Sequence, residues 1–338
     1  MANKKTELGQ FFTVNPLWLK DHIERFIYDS KCNIVYDPFA GTGELLKAVV
    51  SLNPNNFTMI GLDIDDQFGW KHNDSLEKIP YIKDAIIVTN PPYLAKQSAS
   101  RKKIDLSRYF QHTIYDDVYL LALENMLKAQ KYVIAIIPES FINSSFLHKN
   151  LLNSITVLEE NPFIDTETPV CVVCFDGNPK SQNQIKVYKN DSLVSTLDDV
   201  YKSRLTPKNN IKITFNDLKG WLGLRAVDSS NDKNKICFAL KDDMNYDWDK
   251  NIKVSSRHIT LINIDVPDDL KSVFVQKLND KIQEIRKKSA DLALTAFMGN
   301  TKSGVRRRRI DFKLVRAILE TVYDDLTQEK GIKPCDLI

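Results

Sequence analysis

Ala85-Ile86-Ile87-Val88-Thr89-Asn90-Pro91-Pro92-Tyr93-Leu94 is the stretch that decides the fold. Four apolar residues lead through Thr89 into an amide, two prolines and an aromatic ring. A short β-rich run ended by proline reads as a buried strand stopped at its carboxyl end. The prolines have fixed φ and no N–H, so the chain leaves the sheet in a stiff, extended form. An amide side chain, main-chain carbonyls and a ring then project past the strand end, where open α/β sheets bind their ligands.

On both sides of this stretch, strand-like and helix-like segments alternate. Helical spacing predicts helices over 16–28, 44–52 and 118–130. Strands are predicted over 33–36, 57–64, 132–137 and 168–175. The alternation implies a doubly wound, mostly parallel sheet covered by helices on both sides. After Asp176-Gly177-Asn178-Pro179 the sequence becomes polar, so a domain boundary is expected near 178. The second domain, 178–338, is expected to be smaller and either α+β or mainly helical. A long helix over 269–297, a glycine-bracketed loop over 298–304 and a helix over 311–325 are predicted there.

The composition, 43% apolar and 27% charged over 338 residues, is that of a folded globular chain of about two domains. No apolar run approaches the ~18 residues of a membrane span. The first residues, MANKKTELGQFF, lack the apolar core of an export signal. With five scattered cysteines, reduced thiols in a cytoplasmic protein are expected. Cys171 and Cys174 form a CxxC, but within a strand they fall on opposite faces and are expected to be core residues. Residues 1–177 hold 17 basic and 22 acidic residues, leaving 30 and 22 for the remainder. A basic second half points to an acidic polymer as partner.

Val35 to Glu44 (VYDPFAGTGE) reads as a strand, a glycine turn and a helix start. Gly41 and Gly43 allow a tight turn and close approach of a ligand to the backbone. The turn lacks the Gly-Lys-Ser/Thr of a phosphate loop and the third glycine of a dinucleotide fingerprint. Asp63 closes the next strand, ~20 residues on, where an acid can grip ribose hydroxyls. Asp74, before the strand at 85, can accept from the exocyclic amine of a nucleoside base. These groups suit an adenosine without a pyrophosphate, which S-adenosylmethionine provides.

Residues 9–177 resemble the S-adenosylmethionine-dependent DNA methyltransferases that modify the N6 amine of adenine. Gly9-Gln10-Phe11-Phe12-Thr13 resembles their amino-terminal cofactor motif, Asp37 to Gly43 their glycine motif, and Asn90-Pro91-Pro92-Tyr93 their catalytic motif. The order is that of the γ class. The resemblance implies a Rossmann-like domain over 1–177 in which Phe11, Phe12 and Thr13 hold the methionine end of the cofactor. Asp37 would face its amino group, with Phe39, Gly41 and Gly43 close by. Asp63 would bind the ribose, and Asp74 and Ser75 would lie at the adenine. Asn90 would be both cofactor-proximal and catalytic. Asn90 and the Pro91 carbonyl would accept from the target amine, with Pro92 stiffening the pair. Tyr93 and Phe163 would stack on the flipped base. The product would be S-adenosylhomocysteine, and no metal is expected.

Lys96, Arg101, Lys102 and Lys103 follow the catalytic tetrapeptide in a stretch expected to be mobile and to reach phosphates. Lys302, Arg306, Arg307, Arg308 and Arg309 are expected to contact double-stranded DNA from the second domain. The setting implied is restriction–modification, as a monomer, with a cognate endonuclease as functional partner. The same tetrapeptide also serves methyltransferases acting on cytosine N4, an RNA base or protein glutamine. A non-catalytic DNA-binding module is the remaining alternative, and the intact set Asp37, Asp63, Asp74 and Asn90 argues against it.

Overall fold

The computed structural model describes residues 16–111, 113–163, 168–231, 233–248 and 258–330. Phe11, Phe12 and Thr13 lie outside the described residues. Two compact units divide between Leu197 and Asp198.

Among the described residues the first unit is built on a nine-stranded sheet. In chain order its elements begin with a 3-10 turn at Pro16–Trp18, α1 (Asp21–Asp29), β1 (Ile34–Asp37), α2 (Glu44–Leu52), β2 (Thr58–Asp63), β3 (Lys71–His72) and β4 (Ala85–Thr89). They continue with α3 (Lys96–Arg101), α4 (Ser107–Phe110), α5 (Val118–Ala129), β5 (Tyr132–Pro138), β6 (Leu152–Val157), β7 (Val170–Phe175), β8 (Lys186–Lys189) and β9 (Ser192–Thr196). The strand order is β3-β2-β1-β4-β5-β7-β6-β8-β9. Strands β3 through β5 are mutually parallel, and β7 runs antiparallel between β5 and β6. This is the Rossmann-like, mostly parallel doubly wound arrangement that the alternation of strands and helices implies.

All five residues of β4 are buried, because parallel neighbours flank the strand and helices cover both faces. Ile86 and Val88 face a core formed with Val35 of β1, Ile23 and Phe26 of α1, and Leu45, Leu46 and Val49 of α2. Helix α5 contributes nothing to that cluster and packs along β5 from the other side. Cys171 and Cys174 are both buried and unbridged in β7, as their strand spacing implied.

The boundary expected near 178 needs correction. Strands β8 and β9 extend the first sheet, β8 pairing in parallel with β6. Both strands are only partly buried at this end of the sheet, with β9 as its edge, so their polar composition resembles that of a linker.

The second unit, with α6 (Leu197–Lys202) at its start, is α+β. An antiparallel sheet of β10 (Ile213–Phe215), β13 (Ile259–Ile264), β11 (Leu222–Arg225) and β12 (Cys237–Leu240) packs with α7 (Lys271–Lys288) and α8 (Phe312–Lys330). Leu222, Leu224, Ile262, Phe274, Leu278, Val315 and Ile318 lie at its centre.

The helix predicted over 269–297 stops at Lys288. Ala290 and Asp291 adopt φ of 49° and 71°, which reverses the chain. Beyond this reversal the chain forms an antiparallel hairpin of β14 (Thr295–Asn300) and β15 (Arg306–Arg309). The arginine run is therefore a strand. Its side chains alternate, with Arg306 and Arg308 only 6% and 1% exposed.

Beside the hairpin, Asp228 is 4% exposed and accepts from Arg286 Nη1 and Nη2, each at 3.0 Å. It also accepts the Ile236 and Arg308 backbone N–H groups at 2.9 and 3.1 Å. Burial, the largest single effect, would raise the Asp228 pKa, but the Arg286 hydrogen bonds and charge together with the Ile236 and Arg308 N–H groups hold it below its usual value. Removing one partner of a buried pair strands the other charge. Arg286→Leu is expected to cost about 3–5 kcal/mol in denaturant unfolding of the second unit, whereas exposed Lys313→Ala should cost little.

Candidate active site

The strand order of the first sheet reverses between β1 and β4, and a crevice opens beyond their carboxyl ends. A pocket of about 180 Å³ occupies this place. Asp37, Phe39, Gly41, Asp63, Asp74, Ser75 and Asn90 all line it, so residues spread over more than fifty positions meet at one site. Pro92 also lines it.

Asp37 is the last residue of β1 and only 2% exposed. Its Oδ1 accepts from the Phe39 N–H at 2.9 Å and from the Thr89 hydroxyl at 2.5 Å. Burial pushes its carboxyl up to about 7, against the lowering effect of these two hydrogen bonds, and the nearby Asp63 adds to the rise. A carboxyl so placed gains from a cation brought into the pocket.

Asp63 does more than line the pocket. Its Oδ2 accepts from the Gly41 N–H at 2.8 Å and its Oδ1 from the Asp65 N–H at 2.9 Å. The acid at the end of β2 thus ties the glycine turn to the sheet. Gly41 and Gly43 have φ of 49° and 76°, a region that side chains disfavour.

The sequence reading missed Trp70. Its indole N–H donates to the Gly41 carbonyl at 2.8 Å. Its ring covers Gly43 and Gly61, where an added Cβ would sit 2.8 and 2.5 Å from ring atoms. A tryptophan whose partners lie elsewhere in the chain leaves no local signal.

Asn90 begins the exit from β4. The Tyr93 hydroxyl donates to Asn90 Oδ1 and also lies 2.7 Å from the Ile136 carbonyl. Burial raises the Tyr93 pKa well above the usual range, so the phenol stays protonated. Tyr93 therefore orients the amide, a role not expected of a stacking ring. Phe163 does meet Tyr93, but edge to face at 6.4 Å and 65°, and it is 6% exposed. The two rings touch, rather than facing each other across a slot.

The basic stretch after the tetrapeptide is not the loose segment expected. Leu94, Ala99, Phe110 and Val118 form a small core with Leu76, Ile104 and Leu106. Lys96, Arg101, Lys102 and Lys103 are exposed on its outer side. Leu94, Leu106, Tyr109 and Val118 reach the pocket. Arg108 and Tyr109, also unforeseen, both bind Asp74 Oδ2 at 2.8 Å.

The arginine run needs correction. Buried Arg306 and Arg308 are not at the surface to meet DNA. Arg307 Nε donates to the Asp228 carbonyl at 2.8 Å, and its guanidinium lies 4.9 Å from the Phe297 ring centroid. Arg309 is half-buried, and only Lys302 is exposed. Among the described residues no group of three His, Cys, Asp or Glu side chains could hold a metal, and no helix is long and apolar enough to cross a membrane.

No protein-family model matches this chain, and no curated protein matches it. Among solved structures, similar folds are S-adenosylmethionine-dependent and nucleic-acid methyltransferases. A putative class I S-adenosylmethionine-dependent methyltransferase from Listeria monocytogenes aligns at 16% identity over 52% of this chain and 67% of its own, TM-score 0.34. A putative RNA methyltransferase from Pyrococcus horikoshii aligns at 18% identity over 52% and 90%, TM-score 0.33. The M protein of the type I restriction enzyme EcoKI aligns at 14% identity over 93% and 70%, TM-score 0.39. Likenesses this distant do not assign an activity, which must be read from the site itself.

Gly61→Ala should cost about 1–3 kcal/mol through overpacking against Trp70, and Trp70→Leu in the same chain should recover part of it, as a double-mutant cycle will read. Asp37, raised to about 7, keeps its proton in the folded chain where the unfolded chain has lost it. Its stabilising contribution is complete below the unfolded pKa of about 4 and is lost as pH rises to about 7, at up to about 1.4 kcal/mol per pH unit. Unfolding titrations from pH 4 to 8 should show this component vanish in Asp37→Asn.

Proposed function

We propose that the first unit is an S-adenosylmethionine-dependent methyltransferase acting on the N6 amine of an adenine flipped out of double-stranded DNA. A restriction–modification system is its setting. The observation that carries this reading is the place of Asn90. It leaves β4 at the reversal of the sheet and lines the same pocket as Asp37, Asp63 and Asp74.

The pocket's chemistry fits the cofactor. The buried Asp37 carboxyl, whose ionisation is held back by burial, would pair with the ammonium of the methionine end. Asp63 would face the ribose and Asp74, beside Ser75, the adenine amine. Gly41 of the positive-φ turn lines the pocket with them. When bound, S-adenosylmethionine supplies a sulfonium methyl, an electrophile needing no metal.

An aromatic amine is a poor nucleophile because its lone pair is delocalised into the ring. The Asn90 amide oxygen and the Pro91 carbonyl would accept its two N–H bonds and draw the nitrogen towards tetrahedral geometry. They would also stabilise the positive charge that builds during attack. Pro91 and Pro92 hold this pair rigid, and the Tyr93 hydroxyl fixes the amide's orientation. Asn90 is neutral, so the proton leaves after transfer. Holding amine and methyl in line supplies much of the rate. The base must leave the helix to reach such a pocket, and Tyr93, bonded to Asn90, with Phe163 against it would be the rings it meets. Exposed Lys96, Arg101, Lys102 and Lys103 would meet the adjacent phosphates, and the second unit, through Lys302 and its neighbours, would add DNA contacts.

Asn90→Ala is expected to lower single-turnover methyl transfer to DNA by about 100- to 1,000-fold. Tyr93→Phe, which keeps the ring and removes only the orienting hydroxyl, should lower it by about tenfold. Transfer by Asn90→Ala at the unaltered rate would contradict the mechanism.

A further inference from the structure

We infer that Arg108 and Tyr109 are positioning residues that fix the Asp74 carboxylate as an acceptor for one amine N–H, making the pocket select a 6-amino over a 6-oxo purine nucleoside. This rests on reading the pocket as a nucleoside site.

Asp74 Oδ2 takes two donors, Arg108 Nη2 and the Tyr109 hydroxyl, each at 2.8 Å. The guanidinium also donates to the Tyr109 oxygen and lies 4.5 Å from that ring's centroid. Its other arm approaches Glu77 at 3.5 Å. Asp74 Oδ1 accepts the Leu76 N–H at 3.2 Å. An ionised carboxylate offers about four acceptor sites, two on each oxygen. Both on Oδ2 are filled and one on Oδ1 is filled. One remains, on a side chain that lines the pocket together with Tyr109.

That remaining site suits a single N–H of an exocyclic amine. A 6-oxo base would present an oxygen instead, setting acceptor against acceptor. A free carboxyl could escape by rotating. Here the two donors on Oδ2 oppose rotation. Arg108 is 60% exposed, so its ion pair alone is worth little. The half-buried Tyr109 hydroxyl supplies the better-shielded bond.

The test is isothermal titration of the full chain with S-adenosylhomocysteine and with S-inosylhomocysteine, which differ in the amino or oxo group at position 6 and in the proton that the 6-oxo base carries on N1. The unaltered chain should favour the amino compound by at least about tenfold. Arg108→Gln/Tyr109→Phe, which keeps the aromatic wall, should reduce that ratio at least about fivefold, mainly by weakening the amino compound. Arg108→Gln and Tyr109→Phe alone should each give a smaller reduction in the same direction. Equal weakening of both compounds would make Tyr109 a plain wall and overturn the inference, as would an unchanged ratio. Failure of the unaltered chain to bind S-adenosylhomocysteine would remove the nucleoside reading itself, whereas binding without selectivity would overturn only the inference.

Discussion

The carboxyl of Asp37 carries no exposed surface to speak of, yet it stands where the sheet divides. One of its oxygens joins the end of β1 to Thr89 at the end of β4 and to the backbone of the turn that succeeds β1. Burying a carboxyl costs free energy unless its acceptors are used, and here they are used by the two segments that form the pocket. The same burial lifts its pKa to about 7 and leaves it ready for a cation. Structure and proposed chemistry therefore depend on one side chain, and its surroundings decide both.

A second layer keeps this arrangement rigid. Asp63 ties the glycine turn to β2, Trp70 caps Gly43 and Gly61, and Tyr93 holds the Asn90 amide. The supports come from three separate stretches, the end of β2 and the segments before β3 and after β4. Such preorganisation is what a site needs to act on developing charge without first rearranging.

Much of this was legible in the sequence, for physical reasons. Strands β1, β4, β5 and β7 announced themselves as apolar runs because central strands are buried on both faces. Asp37, Asp63, Asp74 and Asn90 could be picked out because strand ends are where ligands bind, and the pocket gathers all four. The features that stayed hidden depend on distant partners. β8 and β9 look like a polar linker because both are only partly buried at the end of the sheet. The arginine run looked like a DNA-reading cluster because nothing in Arg306 to Arg309 shows that alternate residues turn inward beside Asp228. Trp70, Arg108 and Tyr109 act on residues from other parts of the chain. Tyr93 was noticed, but its hydroxyl bond to Asn90 could come only from the folded geometry.

The central claim is that the tetrapeptide at the end of β4 activates an aromatic amine of DNA for methyl transfer. It is tested most directly by incubating the chain with double-stranded DNA of mixed sequence and methyl-labelled S-adenosylmethionine, then resolving the digested nucleosides by mass spectrometry. The account predicts label in N6-methyladenine and none in methylated cytosine. Label confined to cytosine, label in RNA or protein offered in place of DNA but none in DNA, or no label in any acceptor would contradict it.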